Sequence, residues 1–229
     1  MVNNDSNWNS LNAFDRNLGS VYPPSWPNEM LVKLINSRAY SEIMPNFPSG
    51  TKVLEVGIFS GNNARLFIEK RWQIFGTELN EDLIQMCVDN LTRLDYEIPE
   101  LKVGTNLSIP YPDQFFDLLV SINTLHYSAS EESNQALVEF SRVMKPGGVA
   151  IIETAGRNHF AVERASRKNE LDWTWMAGGF REGQNFGFFD NKEHFEKSLL
   201  KIFSKVEVAV RQEKYSKHQL EFYVGVCVK

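Results

Sequence analysis

Residues able to do chemistry gather at the ends of apolar runs in this chain. In "VLEVGIFSGNN", residues 53–63, an acid and two glycines (Glu55, Gly57 and Gly61) lead from a continuous apolar stretch into a helical pattern. Glycines between a strand and a helix let the backbone approach a nucleotide-type ligand closely, although such a turn can also be purely structural. Phe59 occupies the middle position, where such turns usually carry a third glycine. The expectation is that this position needs no positive φ, so that Phe59 projects away from the backbone contact, against the first helix or along the pocket wall. Glu78, with Leu79 beside it, ends the next apolar run, where an acid accepts hydrogen bonds from ribose hydroxyls; that pairing alone fits NAD as well.

Further on, Thr105 and Asn106 follow the third apolar run, and "INTLHY" places Asn123, His126 and Tyr127 after the fourth. His126 reads either as a general base, since an ordinary imidazole is neutral and basic near pH 7, or as a polar residue on the rim of a crossover loop. His159 is the second candidate base, or else reads as a surface or helix residue. Trp173 and Trp175 in "DWTWMAGGF" read as an acceptor pocket or as a cap on the sheet, and Tyr22 and Trp26 in the proline-fixed "YPPSWPNE" as part of a lid.

The elements that must position these residues alternate. After an Asn-rich start and an amphipathic helix around Met30, Leu31, Leu34 and Ile35, with Pro27 in its first turn, come "KVLEVGI" (strand), "NNARLFIEKR" (helix), "WQIFGTEL" (strand) and "NEDLIQMCVDNLTRL" (helix capped by Asn80). The strands "LKVG" and "FDLLVSIN", the helix "EESNQALVEFSRVM" with Ser128 and Glu131 spaced as a capping box, and the strand "VAIIETA" follow. Residues 157–190 show no clear period, and a helix and two long strands close the chain. Strands alternating with helices make a doubly wound α/β fold with a mostly parallel sheet, and the short link between the last two strands makes them antiparallel. The expected organisation is one domain over 1–229: arm and helix 1–48, core 49–155, insertion 156–190, and helix with strand pair 191–229.

With 42% hydrophobic and 23% charged residues, the composition is that of a globular protein, and no apolar run approaches the roughly 20 residues of a bilayer span. The start lacks the pattern of a secretory signal, which points to the cytoplasm. A net charge of −5 argues against a phosphate backbone as the main partner. Cys87 and Cys227 read as buried core thiols, with no ligand spacing for zinc.

Four stretches in order, "VLEVGIFSG", "GTELN", "VGTNLSIPYPDQFFDLLVSINTLHY" and "SRVMKPGGVAIIE", resemble the class I S-adenosylmethionine-dependent methyltransferases, closely over roughly residues 50–155 and by topology in the C-terminal strand pair. The resemblance implies S-adenosyl-L-methionine as cofactor. Gly57 and Gly61 would approach its methionine portion, with Phe59 in the same turn, and Glu55 would orient its ammonium. Glu78 and Leu79 would meet the ribose, Thr105 and Asn106 the adenine, and Asn123 the methionine end. Thr105 stands where many relatives carry an aspartate. No metal is expected, because "INTLHY" lacks the carboxylates of metal-assisted relatives. The implied activity is metal-independent transfer to a small molecule or sugar, most readily at oxygen, with Tyr22, Trp26, Tyr127, Trp173 and Trp175 at the acceptor. A catalytically silent cofactor- or partner-binding module is the alternative, and an NAD-linked oxidoreductase is disfavoured by the antiparallel final strands. The oligomeric state is left open.

Overall fold

The computed structural model describes residues 25–128, 130–167, 172–175, 185–216 and 219–229. Helix α1 (Glu29–Asn36) starts at Asn28, whose Oδ1 accepts from the N–H groups of Met30 and Leu31 at 3.0 and 3.3 Å. Pro27 therefore precedes the cap instead of standing in the first turn, because an Asn side chain satisfies the free N–H groups that a proline cannot. The chain then runs β1 (Lys52–Val56), α2 (Ala64–Glu69), β2 (Gln73–Glu78), α3 (Glu81–Arg93), β3 (Glu100–Val103), β4 (Phe116–Ser121), α4 (Ser130–Val143) and β5 (Met144–Ala155). After α5 (Phe160–Arg164) come β6 (Ala165–Arg167), β7 (Asp172–Trp175) and β8 (Asn185–Gly187), then α6 (Lys192–Leu199), β9 (Lys205–Lys214) and β10 (Gln219–Val228). Asn80 caps α3 through Leu83 N–H, as its sequence predicts. Glu131, the second half of the expected capping box, has its side chain outside the described residues, and the Ser128 hydroxyl accepts from Asn106.

The seven-stranded sheet has the order β3-β2-β1-β4-β5-β10-β9. Its first five strands are parallel, and β10 runs antiparallel to both β5 and β9. Chain order reverses between β1 and β4, so the crevice at their carboxyl ends is where such a sheet receives ligands. One face of the sheet packs Leu54, Val56, Leu119 and Ile152 against Leu137, Phe140 and Phe195. The other packs Val53, Leu118, Val120 and Ile151 against Leu31, Leu34 and Phe67. Helices thus cover both faces.

Two features hold the crevice in shape. Arg142 donates to the carbonyls of Ile109 (2.9 Å) and Tyr111 (3.1 Å) and pairs with Glu139 and Asp113, which fixes the proline-rich link into β4. In the insertion, β6, β7 and β8 form a separate antiparallel sheet. Strands of three or four residues are too short for alternation to show in sequence, which is why this stretch reads as patternless.

Candidate active site

The turn after β1 places left-handed residues at alternate positions: Gly57 has φ 72°, Phe59 φ 50° and Gly61 φ 68°. The expectation that the middle position avoids positive φ is therefore wrong. The turn rotates the Phe59 N–H onto Glu78 Oε1 at 2.7 Å, and Leu79 N–H donates to Oε2 at 3.1 Å. Glu78 is thus fixed at the end of β2, with a lone pair on each oxygen still available to a ligand hydroxyl. Burial raises its pKa and the two N–H groups pull it back. The glycines have separate tasks. A Cβ on Gly57 would lie 2.6 Å from Thr124 Oγ1, so the turn passes tight against the segment after β4. A Cβ on Gly61 would lie 3.0 Å from Cys87 Sγ and from Leu91, so that glycine seats the turn on α3.

Glu55 is 3% exposed. Its Oε1 accepts from Asn63 Nδ2 at 2.6 Å, while Oε2 is buried with no partner. Burial pushes its pKa up to about 8, opposed by the Asn63 bond and reinforced by the charge of Glu78. Asn63 in turn accepts from Asn28 N–H at 2.8 Å, and Asn62 donates to the Trp26 carbonyl at 3.0 Å. Arg93 donates to Ser25 Oγ at 3.1 Å. The segment ahead of α1 is thereby tied across the glycine turn. Trp26 itself is 73% exposed beneath the Arg65 guanidinium, at 5.2 Å, and Tyr22 lies outside the described residues.

Thr105 is exposed and its hydroxyl accepts from Leu107 N–H. Asn106 donates to Thr124 O (3.4 Å) and Ser128 Oγ (3.1 Å), stapling the loop after β3 to the loop after β4. Asn123 is exposed with φ 56°, at the carboxyl end of β4.

Beyond β4 the site changes character. His126 is 3% exposed, so it is a wall residue and not a rim residue. Its ring lies 4.6 Å from Tyr127, 4.9 Å from Phe186 and 6.5 Å from His159. His159 is buried as well, instead of on the surface, and packs against Phe160, Phe186 and Phe222. Its Nδ1 accepts from Ala161 N–H, and burial followed by the Arg211 charge lowers its pKa to about 4. His159 is thus neutral at working pH. Behind these rings, Arg211 Nε donates to Glu153 Oε2 at 2.9 Å. Trp173 and Trp175 belong to β7, whose side chains are outside the described residues.

Asn63, Glu153, Arg211, Phe186 and Phe222 are the contributors that the sequence reading missed. Two carried a signal: Glu153 is a lone charge inside "VAIIETA", and Asn63 directly follows a glycine turn that carries a buried acid. Among the described residues no group of three or more His, Cys, Asp or Glu could hold a metal ion, and no helix is long and apolar enough to cross a membrane.

Known proteins resemble this chain in sequence and in fold. Residues 54–152 match the family model described as a methyltransferase domain. The chain is 27% identical over 163 residues to a tRNA (carboxymethyluridine(34)-5-O)-methyltransferase of Arabidopsis thaliana, covering 71% of this chain and 37% of that protein. It is 29% identical over 118 residues to a ubiquinone/menaquinone biosynthesis C-methyltransferase of Bordetella avium, covering 50% and 45%. The chain thus spans less than half the length of these two relatives. A crystal structure of a SAM-dependent methyltransferase from Methanosarcina mazei superposes with a TM-score of 0.66 at 18% identity, covering 83% of this chain and 97% of that one.

Proposed function

We propose that this chain is a class I S-adenosylmethionine-dependent methyltransferase that methylates an oxygen of a small molecule or sugar without a metal ion, a reading supported by the methyltransferase-domain match and the shared fold. When bound, the cofactor supplies an electrophilic methyl group on a sulfonium, with a neutral thioether as leaving group. The chain's own residues fit it: the bare, buried Glu55 Oε2 lacks a donor that an ammonium would provide, and Glu78 keeps lone pairs for the ribose. Gly57 leaves no bulk at the turn. Alignment of two reactants supplies roughly 7 to 11 kcal/mol of a barrier, so binding and orientation are the main work of the site.

The observation that carries the acceptor reading is the cluster of rings beyond β4 and β5, where His126, His159, Phe186 and Phe222 pack against one another and shed water. In this reading His126 takes the proton of the acceptor hydroxyl, and His159 stays neutral as a wall. The test is incubation with labelled cofactor and a panel of sugars, phenols and amines, with mass spectrometry of the products. Methyl on oxygen is expected, and His126→Ala is expected to slow transfer by roughly 10² to 10⁴ with cofactor affinity unchanged. Methyl found only on carbon or nitrogen would overturn it.

A second reading, a nucleotide of RNA as acceptor, is favoured by the Arabidopsis relative, whose name specifies O-transfer on a tRNA uridine. The net charge of −5 counts against a broad phosphate contact. Binding of tRNA that weakens steeply with added salt would favour it over the small molecule.

A further inference from the structure

The acceptor side of the sheet holds a carboxylate oxygen that no described residue satisfies. Glu153 on β5 has no solvent exposure, Arg211 engages its Oε2, and Oε1 is buried without a hydrogen-bond partner. A bare acceptor in a low-dielectric interior is costly and calls for a specific explanation. Glu55 Oε2 is in the same condition. The registers Glu55↔Val120 and Val120↔Ile151 put both acids on one face, with Glu153 one pleat farther along. They stand two strands apart, about 10 Å laterally and about 7 Å along the strands.

Arg211 supplies the link to the ring cluster. It pairs with Phe222 across the β9–β10 ladder, and its guanidinium lies 4.2 Å from the Phe222 ring centroid while reaching over β10 to Glu153. Phe222 is 4.9 Å from His159, which is 5.5 Å from Phe186. An ion pair and a row of rings therefore meet in one place.

We propose that Glu153 Oε1, with Arg211 behind it, is the polar anchor of the acceptor subsite: it receives a hydrogen bond from a hydroxyl of a small aromatic or heteroaromatic acceptor whose ring packs against Phe222 and His159. Arg211 pairs with both Glu153 and Glu213 and so offsets the charge of Glu153 in part, and a neutral hydroxyl completes the bare oxygen without adding charge to the interior. A carboxylate acceptor would set its oxygens against another carboxylate oxygen and is disfavoured. This deepens, and rests on, the small-molecule reading above.

The test is a ligand-observed NMR titration of the full chain saturated with S-adenosylhomocysteine, using catechol and 1-naphthol and their methyl ethers. Wild type is expected to bind the phenols at least tenfold more tightly than the ethers. In Glu153→Gln the amide can face Arg211 with its oxygen and the ligand with its NH₂, which phenol and ether oxygens accept equally, so the preference is expected to collapse to within about twofold. Phe222→Leu is expected to weaken phenols and ethers alike, a readout that does not depend on Glu153→Gln folding. The proposal is overturned if wild type binds phenols and ethers equally, if it binds neither, or if folded Glu153→Gln keeps the preference. A preference lost in Glu153→Gln supports the subsite even where no labelled methyl reaches oxygen; that second result would count against the O-methylation reading alone.

Discussion

Glu55 and Glu153 are the same residue type on the same face of one sheet, each almost free of solvent and each with one oxygen engaged. Their partners differ in charge. Asn63 is neutral, so burial dominates at Glu55 and holds its carboxyl near a pKa of about 8. At Glu153 burial also raises the pKa, and the charge of Arg211, which Arg211 shares with Glu213, counters it only in part. A ligand completing Glu55 does best by bringing positive charge, and one completing Glu153 needs only a dipole. The same division runs through the rest of the crevice. The proposed cofactor half is built largely from backbone, a turn whose φ values aim N–H groups at Glu78, and the proposed acceptor half is built from side chains.

The hardest way to break the cofactor half is through the turn. Gly57→Val adds a branched side chain at φ 72° where even a Cβ meets Thr124 Oγ1 at 2.6 Å. Loss of measurable S-adenosylhomocysteine binding and a stability loss of about 2 to 4 kcal/mol are expected by calorimetry and denaturation. Pairing it with Thr124→Ala separates the causes: partial recovery of stability assigns part of the damage to the clash, and the remainder to the backbone.

Glu55→Gln should act next. With its carboxyl pKa near 8, Glu55 is mostly protonated at pH 7 before an ammonium arrives and ionised afterwards. Binding at pH 7 is therefore expected to release close to one proton, seen by calorimetry in buffers of different ionisation enthalpy. The Gln variant should release none from this site and bind roughly 10- to 100-fold more weakly, about 1.4 to 2.8 kcal/mol. Equal proton release in both proteins would show that Glu55 does not meet the ammonium.

The two halves also differ in how much of them the sequence discloses. Gly57, Gly61 and Glu78 sit at fixed offsets from apolar strands, because a backbone-built site needs particular residue types at particular turns. The sheet order follows from the same alternation of strands and helices. Arg211 and Glu153, by contrast, meet across β10 from distant parts of the chain, and neither neighbourhood shows the pairing. His126 was legible as a residue but not as a buried wall, since its burial depends on Phe186 in a strand too short to leave a period. Phe59 failed in the other direction: its φ is set by the bond to Glu78, which local propensity does not see.

The halves should respond to pH with opposite sign. The folded state lowers the pKa of His159 to about 4, so between about pH 6.5 and 4 the unfolded chain binds the extra proton and stability falls as pH falls. The folded state raises Glu55 to about 8, so between about pH 4.5 and 8 the folded chain holds the extra proton and stability falls as pH rises. His159→Gln is expected to remove an acid-side loss of about 2 to 3 kcal/mol, and Glu55→Gln to flatten the alkaline side. Urea denaturation at pH 4.5, 6 and 8 reads both; an unchanged acid limb in His159→Gln would mean that His159 is not held neutral.

The smallest effect belongs to the residue that most departs from the expected turn. Phe59 at φ 50° carries a left-handed strain of about 1 to 2 kcal/mol, which Phe59→Gly relieves. Against that gain stand the greater freedom of glycine in the unfolded chain, about 0.5 to 1 kcal/mol, and the lost contacts of a half-buried ring. Net stability is expected within about 1 kcal/mol of wild type. Cofactor affinity should stay within about tenfold, because what Phe59 gives Glu78 is its N–H, and glycine keeps it. Phe59→Pro has no N–H and cannot reach positive φ, so it should cost far more on both measures. Calorimetry on the pair decides between backbone and ring. A loss beyond tenfold in Phe59→Gly would mean that the aromatic ring itself touches the ligand, and that the cofactor half depends on side chains as the acceptor half does.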